Sequence, residues 1–251
     1  MQVVYGLEDD FHSGRPAGNF GPPVSLFNPA LGLFDHHLRH LDNESFALGL
    51  PSALIQLTHL FMVQSANSYV NESVRTIAIQ DTLNAIFGAP IDRKVRQSLF
   101  GIKPDAINEG DIPFLVVELK NEAGLEGDAS LQAALSYAHI ATASMDKNIS
   151  NYSAVLSNYP AVLYSIMGDL LEIGVATYTD GLYYNLLFSE RLRLGFYAAK
   201  NVLRLARAFA ATRQVITDLR EFYAAPLSAP GSIAHLFPSP LPVPTYTGFV
   251  L

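Results

Sequence analysis

The chain has no cysteine in its 251 residues. Disulfides and thiolate metal sites are therefore excluded, and a reducing intracellular compartment is the simplest expectation. Charged residues make up only 16% of the sequence and apolar residues 49%. That balance argues against a disordered acidic chain and is sufficient for one sizeable core.

Targeting and membrane segments are also missing from the sequence pattern. Residues 1–10 carry acids and no basic stretch before an apolar run, unlike a secretory leader. The most apolar window, residues 160–179, holds Asp169 and Glu172 near its middle, and a membrane would bury both charges at high cost. We expect an intracellular protein, nuclear or cytoplasmic, that does not span a membrane.

Several common site motifs are absent as well. There is no GxxxxGK(S/T) phosphate loop, no kinase catalytic motif and no HExxH zinc motif. His36 and His40 could share a helix face and bind a transition metal together with His37. Because no third ligand follows at a typical spacing, a polar surface segment is the preferred interpretation.

Charge is unevenly distributed along the chain, whose net charge is −7. Residues 1–190 carry nine Lys and Arg against 21 Asp and Glu, whereas residues 191–251 carry seven against two. In a predicted C-terminal helix, one stripe holds four cations, Arg193, Lys200, Arg204 and Arg207. The stripe could bind nucleic-acid phosphates, or it could be a solvated or internally paired face.

Hydrophobic periodicity and turn residues divide the chain into three parts. Residues 1–65 are predicted to be an irregular or helical extension, irregular up to about residue 30, with 66–225 as the main domain and 226–251 as a proline-rich tail. Helices are predicted at 71–87, from a cap at Ala129 or Ser130 to about 144, and from Ser189 or Glu190 to 223. Strands are predicted at 98–102, 103–107 (a strand or a turn), 112–119, 160–166, 172–178 and 182–188, with the apolar 112–119 run buried on both faces.

The residues that indicate chemistry are Pro104-Asp105 and, on the next strand, Glu118-Leu119-Lys120. Side chains two positions apart on a strand share a face, so Glu118 and Lys120 point into one space. Pairing of the two strands would bring Asp105 close to Glu118. Two carboxylates suit Mg²⁺ or Mn²⁺, and the lysine could assist at a phosphodiester. The alternative is a solvated Glu-x-Lys pair beside an ordinary Pro-Asp turn.

Pro104-Asp105 with Glu118-Leu119-Lys120 resembles the signature of the PD-(D/E)xK, or restriction-endonuclease-like, nuclease superfamily. Residues 116–122, 132–137, 202–209 and 218–223 are similar to fungal nuclease-like domains that precede kinase-like domains in Crinkler-type proteins. The resemblance covers roughly residues 70–225.

This resemblance implies an α-β-β-β-α-β order and an α/β fold with a mixed central sheet between helices, including the long C-terminal helix. It implies a metal-dependent nuclease acting on DNA, with an acid of the first helix, here Glu72, joining Asp105 and Glu118. Glu72 could equally be an ordinary first-turn carboxylate. Gln132 matches a supporting glutamine, whereas Tyr137 stands one residue too far along and is expected in the core.

Three functions remain open at this stage. The first is a Mg²⁺-dependent nuclease, with Lys120 assisting and Gln132 supporting the site. The second is a non-catalytic nuclease-like module that regulates an attached kinase-like domain. The third is a protein-interaction domain that acts through the C-terminal helix.

Overall fold

The computed structural model describes residues 11–13, 23–43, 49–88, 91–92, 106–108, 114–121, 128–148, 160–178, 182–193, 195 and 198–224. Its helices are α1 (Pro29–Arg39), α2 (Ser52–Ala66), α3 (Glu72–Phe87), α4 (Ala129–Asn148) and α5 (Ala198–Ala224), with a short 3₁₀ helix at Val24–Leu26. Its strands are β1 (Phe11–Ser13), β2 (Ile91–Asp92), β3 (Ala106–Asn108), β4 (Leu115–Lys120), β5 (Ala161–Met167), β6 (Leu170–Tyr178) and β7 (Leu182–Arg191).

The described strands form one mixed sheet in the order β1-β7-β6-β5-β4-β3-β2. β4 runs parallel to β5 and β1 parallel to β7, and the other neighbouring pairs are antiparallel. Four longer strands, β4 to β7, form the centre. The predicted mixed α/β class, with a long C-terminal helix, is confirmed.

Each face of the sheet is covered by different helices. α4 packs against β4, β5 and β6 on one face, and α3 and α5 pack with α1 and α2 on the other. Along β4, Leu115, Val117 and Leu119 belong to the core shared with α1, α2, α3 and α5, while Val116 belongs to the core shared with α4. Because both faces are buried, the strand is apolar until its charged end, as predicted for residues 112–119.

Aromatic packing fixes α5 on the sheet. The Phe209 ring lies 6.1 Å from that of Tyr164, 5.9 Å from Phe87 and 5.4 Å from Phe61, centroid to centroid. The Tyr164 and Thr212 hydroxyls share a hydrogen bond of 2.5 Å, which satisfies both buried groups. α1 and α2, from the predicted N-terminal extension, pack into this same core.

α3 confirms the helix predicted at residues 71–87. The Asn71 side chain caps it by accepting a hydrogen bond from the Val74 backbone N–H at 3.0 Å. Gly88 ends it with a φ of 69°, a left-handed conformation that glycine adopts readily. The buried face includes Leu83 and Ile86, whereas Val74 and Ile77, which have the same three-residue periodicity, are exposed.

Two boundary predictions were wrong near the ends of the chain. The long helix does not begin at Ser189 or Glu190: β7 continues to Arg191 because its pairing with β6 extends to Leu170, and α5 begins at Ala198. The first 30 residues are not wholly irregular, since β1 pairs with β7 and α1 begins at Pro29. Tertiary pairing, which periodicity does not report, decides both differences.

The start of α4 was also predicted one or two residues late. Asp128, and not Ala129 or Ser130, caps it: its carboxylate accepts hydrogen bonds from the Ser130 and Leu131 backbone N–H groups at 3.0 and 3.1 Å. A carboxylate at this position satisfies two helix donors and favours the helix dipole.

From α3 to β5 the elements follow the order α-β-β-β-α-β. β4 and β5 are parallel neighbours joined through α4, so the charged end of β4 lies beside the end of β5. Within the described residues, no helix combines the length and apolar character needed to cross a membrane. The predicted tail, residues 226–251, and the strand at 98–102 lie outside the described residues.

Candidate active site

Lys120 and Glu72 form the centre of the candidate site. The Lys120 ammonium lies 3.1 Å from Oε2 and 3.4 Å from Oε1 of Glu72, donating to both. Lys120 is the last residue of β4 and Glu72 the first of α3, so the pair joins the end of the central strand to a helix N-terminus. The lysine side chain is only 10% exposed and the glutamate 30%, so solvent screens the pair weakly.

Glu118 lies on the same face of β4, two residues before Lys120. It is 1% exposed, and its Oε1 accepts a hydrogen bond of 2.8 Å from the Ser136 hydroxyl of α4. A buried carboxylate needs such a donor, because burial without one costs free energy. The register of β4 against β5 is regular from Leu115 to Lys120, which is consistent with the two-residue alternation that puts Glu118 and Lys120 on one face.

The polar face under α4 extends beyond Glu118. In the sheet register, Glu118 pairs with Ser165 of β5, which pairs with Glu172 of β6. The Glu172 carboxylate accepts a hydrogen bond from the Ser130 hydroxyl in the first turn of α4. Two α4 serines thus bind two sheet carboxylates, an arrangement that sequence spacing did not reveal because it depends on α4 crossing the strands.

Arg75 is a further residue that sequence reasoning missed. It is 1% exposed, and its guanidinium donates to the Ser65 carbonyl at 3.0 Å and to the Gly168 carbonyl. Burial lowers its pKa, while the ring of Tyr69, 5.5 Å from the guanidinium carbon, favours the charge. The Gly168 backbone N–H in turn donates to the Lys120 carbonyl at 3.1 Å. Arg75 therefore links α3, one turn after Glu72, to the strand end that carries Lys120.

Asp105 lies outside the described residues, so its predicted place beside Glu118 stays a prediction. Its sequence neighbour Ala106 begins β3 and pairs antiparallel with Val117, the residue before Glu118. Among the residues that the structure describes, no three His, Asp or Glu side chains are grouped closely enough to hold a metal ion. The carboxylates of Glu72 and Glu118 nevertheless have the donor chemistry of a hard divalent cation such as Mg²⁺ or Mn²⁺.

Gln132 occupies the first turn of α4 and is partly exposed. The α4 hydrogen bond to Glu118 comes from Ser136, one helical turn further on. Gln132 and Ser136, four residues apart, share a helix face, and the supporting role of Gln132 stays a prediction. Tyr137 is 1% exposed within the α4 core, as expected.

The four predicted nucleic-acid-binding cations fall into two separate groups. Lys200 and Arg204 lie 3.8 and 3.5 Å from the Asp42 carboxylate, Arg204 also pairs with Glu190, and Arg207 donates to the Leu41 carbonyl at 2.6 Å. These three contact the segment after α1. Arg193 instead pairs with Asp169 in the turn between β5 and β6, with Nε to Oδ2 at 2.9 Å.

His36 and His37 lie in the last turn of α1, and His40 is its C-cap residue. The rings of His36 and His40 lie 4.3 Å apart, and His40 Nδ1 lies 2.7 Å from the His36 carbonyl. They belong to no group of three potential metal ligands within the described part of the chain.

Comparison of the chain with protein-family models, curated proteins and solved structures finds no match.

Proposed function

We propose that the protein is a metal-dependent nuclease of the PD-(D/E)xK type that hydrolyses phosphodiester bonds, with DNA as substrate. The observation that carries this is the contact of Lys120 with Glu72, which brings the helix acid named from the resemblance to the lysine of the Glu-x-Lys strand. Glu118 lies on the same strand face, roughly 7 Å along the backbone at about 3.3 Å per residue. The α-β-β-β-α-β order supports a restriction-endonuclease-like fold.

In this proposal, Asp105 and Glu118 hold Mg²⁺ or Mn²⁺, with Glu72 contributing from α3. A bound divalent cation would supply charge neutralisation at the scissile phosphate and an activated water. Lys120 positions the phosphate and balances negative charge that develops on its oxygens, because its ammonium is held at a nearly buried site. Ser136 orients Glu118, and Glu72 holds Lys120 in place.

The test is cleavage of supercoiled plasmid with Mg²⁺ or Mn²⁺. Wild type should nick or linearise the plasmid, and Asp105→Ala and Lys120→Ala should each abolish cleavage while retaining the wild-type circular dichroism spectrum. Cleavage that survives both substitutions would show that these residues do not perform the reaction.

A second candidate is a non-catalytic nuclease-like module that regulates an attached kinase-like domain. The pairing of Glu118 with Ser136 and of Lys120 with Glu72 favours it, because protein groups already contact both side chains. Fold alone does not decide between the two functions. Calorimetry separates them: the module should not bind Mg²⁺, whereas millimolar or tighter binding that is lost in Asp105→Ala supports the nuclease.

A further inference from the structure

The turn between β5 and β6 lies directly beside the candidate site. Its two residues are Gly168, with a φ of 58°, and Asp169. The Gly168 N–H binds the Lys120 carbonyl at 3.1 Å, and buried Arg75 binds the Gly168 carbonyl. The turn is therefore held from both sides, so groups attached to it keep a constant position relative to Lys120.

Two exposed arginines meet on this turn. Arg191, at the end of β7, and Arg193 both pair with the Asp169 carboxylate, Arg193 through Nε at 2.9 Å. The Leu192 N–H between them donates to the Asp169 carbonyl at 2.6 Å, which holds their backbone against the turn. The arginine side chains are 51% and 73% exposed, and these contacts leave one positive charge in excess.

Sheet register relates this pair of arginines to the site. Across the sheet, Lys120 of β4 pairs with Met167 of β5, and Met167 pairs with Leu170 of β6. Leu170 in turn pairs with Arg191 of β7. Lys120 and Arg191 therefore share one row and one face of the sheet, three strand spacings or roughly 14 Å apart. A span of roughly 14 Å is within the reach of a few consecutive nucleotides of one strand, whose axial rise alone is about 3.4 Å each.

The cations of α5 are placed differently. Lys200 and Arg204 share Asp42, Arg204 also binds Glu190, and Arg207 donates to the Leu41 carbonyl, so all three are held by groups after α1 or at the end of β7. α5 packs in the helix layer on the sheet face opposite Glu118 and α4. The α5 cations therefore lie off the sheet row that joins Lys120 to Arg191, which makes them poorer candidates for contacting a chain that passes Lys120.

We propose that Arg191 and Arg193, held on Asp169, form a phosphate-binding site for the nucleic-acid backbone on one side of the scissile bond. The proposal rests on the nuclease function for its geometry, and it assigns substrate contact to the end of β7 and not to the α5 stripe. Both guanidiniums can bind phosphate oxygens through two N–H groups, a geometry that suits arginine better than lysine. Because Asp169 competes for the same donors, its charge sets how tightly phosphate binds.

The experiment is fluorescence anisotropy of labelled single-stranded and duplex DNA and RNA oligonucleotides in EDTA, across a range of salt concentrations. Arg191→Glu and Arg193→Glu should each weaken binding about tenfold or more and lower the magnitude of the salt slope by roughly one. Asp169→Asn should tighten binding. Lys200→Glu, the same charge reversal at a 71% exposed side chain on α5, should change the dissociation constant less than about twofold.

The outcomes separate this site from the proposed reaction. Binding that depends on Arg191 and Arg193 without any metal-dependent cleavage supports the phosphate site and counts against the nuclease. Cleavage and binding that are insensitive to both arginines overturn the phosphate site and leave the nuclease standing. Equal losses in Arg193→Glu and Lys200→Glu, or no binding by wild type, also overturn it. A single cooperative thermal unfolding transition, well above the assay temperature, establishes that each variant is folded.

Discussion

The Lys120 ammonium lies 3.1 Å from the Glu72 carboxylate, although 48 positions separate the two residues in the sequence. Glu72 starts α3, where a carboxylate also favours the helix dipole, and Lys120 ends the central strand β4. The contact therefore joins two elements that a nuclease of the proposed type needs to hold together, and it is made by two of the residues that carry the proposed chemistry.

A double-mutant cycle on this pair should show measurable coupling. Glu72→Ala removes the carboxylate that pairs with the nearly buried Lys120 ammonium. The substitution should therefore lower the free energy of unfolding less in a Lys120→Met background than in wild type. We expect a coupling free energy of about 1–2 kcal/mol from urea unfolding. The pair of Asp35 and Arg39 on α1, whose arginine is 68% exposed, is the control for a solvent-screened cation, with coupling of about 0.5 kcal/mol or less. Equal coupling in the two cycles would mean that the site pair gains nothing from its burial.

Replacing Arg75 should destabilise the fold. Arg75→Met removes the donors to the Ser65 and Gly168 carbonyls and the cation over Tyr69. Unmet buried carbonyls should lower the free energy of unfolding by about 2–4 kcal/mol. Arg39→Met, at a 68% exposed side chain, should cost less than about 0.5 kcal/mol. Similar small costs for both would show that Arg75 does not hold the turn.

Substitutions of Ser136 and Gln132, both on α4, should have different effects. Ser136→Ala removes a donor to buried Glu118 and should cost about 1–3 kcal/mol in unfolding free energy. It should also raise the Mg²⁺ concentration required for half-maximal cleavage, because the carboxylate loses a fixed orientation. Gln132→Ala, at a partly exposed position, should cost less than about 0.5 kcal/mol. A larger effect of Gln132→Ala than of Ser136→Ala would show that Gln132, and not Ser136, supports the site.

Asp169 should stabilise the fold in a pH-dependent manner. The hydrogen bond from Arg193, with Arg191 adding to it, lowers the pKa of Asp169 below its usual 3.8, although burial opposes the shift. A carboxylate with a depressed folded-state pKa stabilises the protein above its unfolded pKa and loses that contribution as the pH falls through the lower folded value. The free energy of unfolding of wild type should therefore exceed that of Asp169→Asn by about 0.5–1 kcal/mol from pH 7 to about pH 5, after allowance for solvent screening.

Chemical unfolding of both proteins between pH 7 and pH 3 measures this difference. The gap should begin to narrow near pH 5, where the unfolded-state carboxyl with its usual pKa of 3.8 starts to bind protons, and it should narrow further as the pH falls toward 3. A gap that narrows between pH 7 and pH 5, or one that widens in acid, would contradict the assignment to this carboxylate.

The strands of the centre were predictable because burial on both faces leaves a plain signal. β4 and β5 are apolar over nearly their whole length. The strands β6 and β7 correspond to two apolar runs on either side of the turn sequence Thr179-Asp180-Gly181. Asn71 and Gly88 likewise marked both ends of α3 through local chemistry. The start of α5 was not predictable in this way, because pairing with β6 extends β7 through residues that also suit a helix.

Spacing alone predicted the candidate site only where residues share an element, and Glu72 on α3 was named from the resemblance. The two-residue period of β4 placed Glu118 and Lys120 on one face. Ser136, Arg75 and Asp169 reach the site from α4, α3 and the β5–β6 turn, so their roles depend on how these elements pack. The spacing of Arg193, Lys200, Arg204 and Arg207 suggested one stripe, but Arg193 precedes the helix and joins a different acid.

The most direct measurement of the central claim is single-turnover cleavage of a labelled DNA by wild type, Glu118→Gln and Glu221→Gln, with Mg²⁺, Mn²⁺ or EDTA. Glu118→Gln keeps an oxygen for Ser136 but removes the charge required for a metal, whereas Glu221 is an exposed acid on α5. The proposal predicts metal-dependent cleavage that is at least about 100-fold slower in Glu118→Gln and unchanged in Glu221→Gln. No cleavage by wild type with either metal, or equal rates in all three proteins, would contradict it.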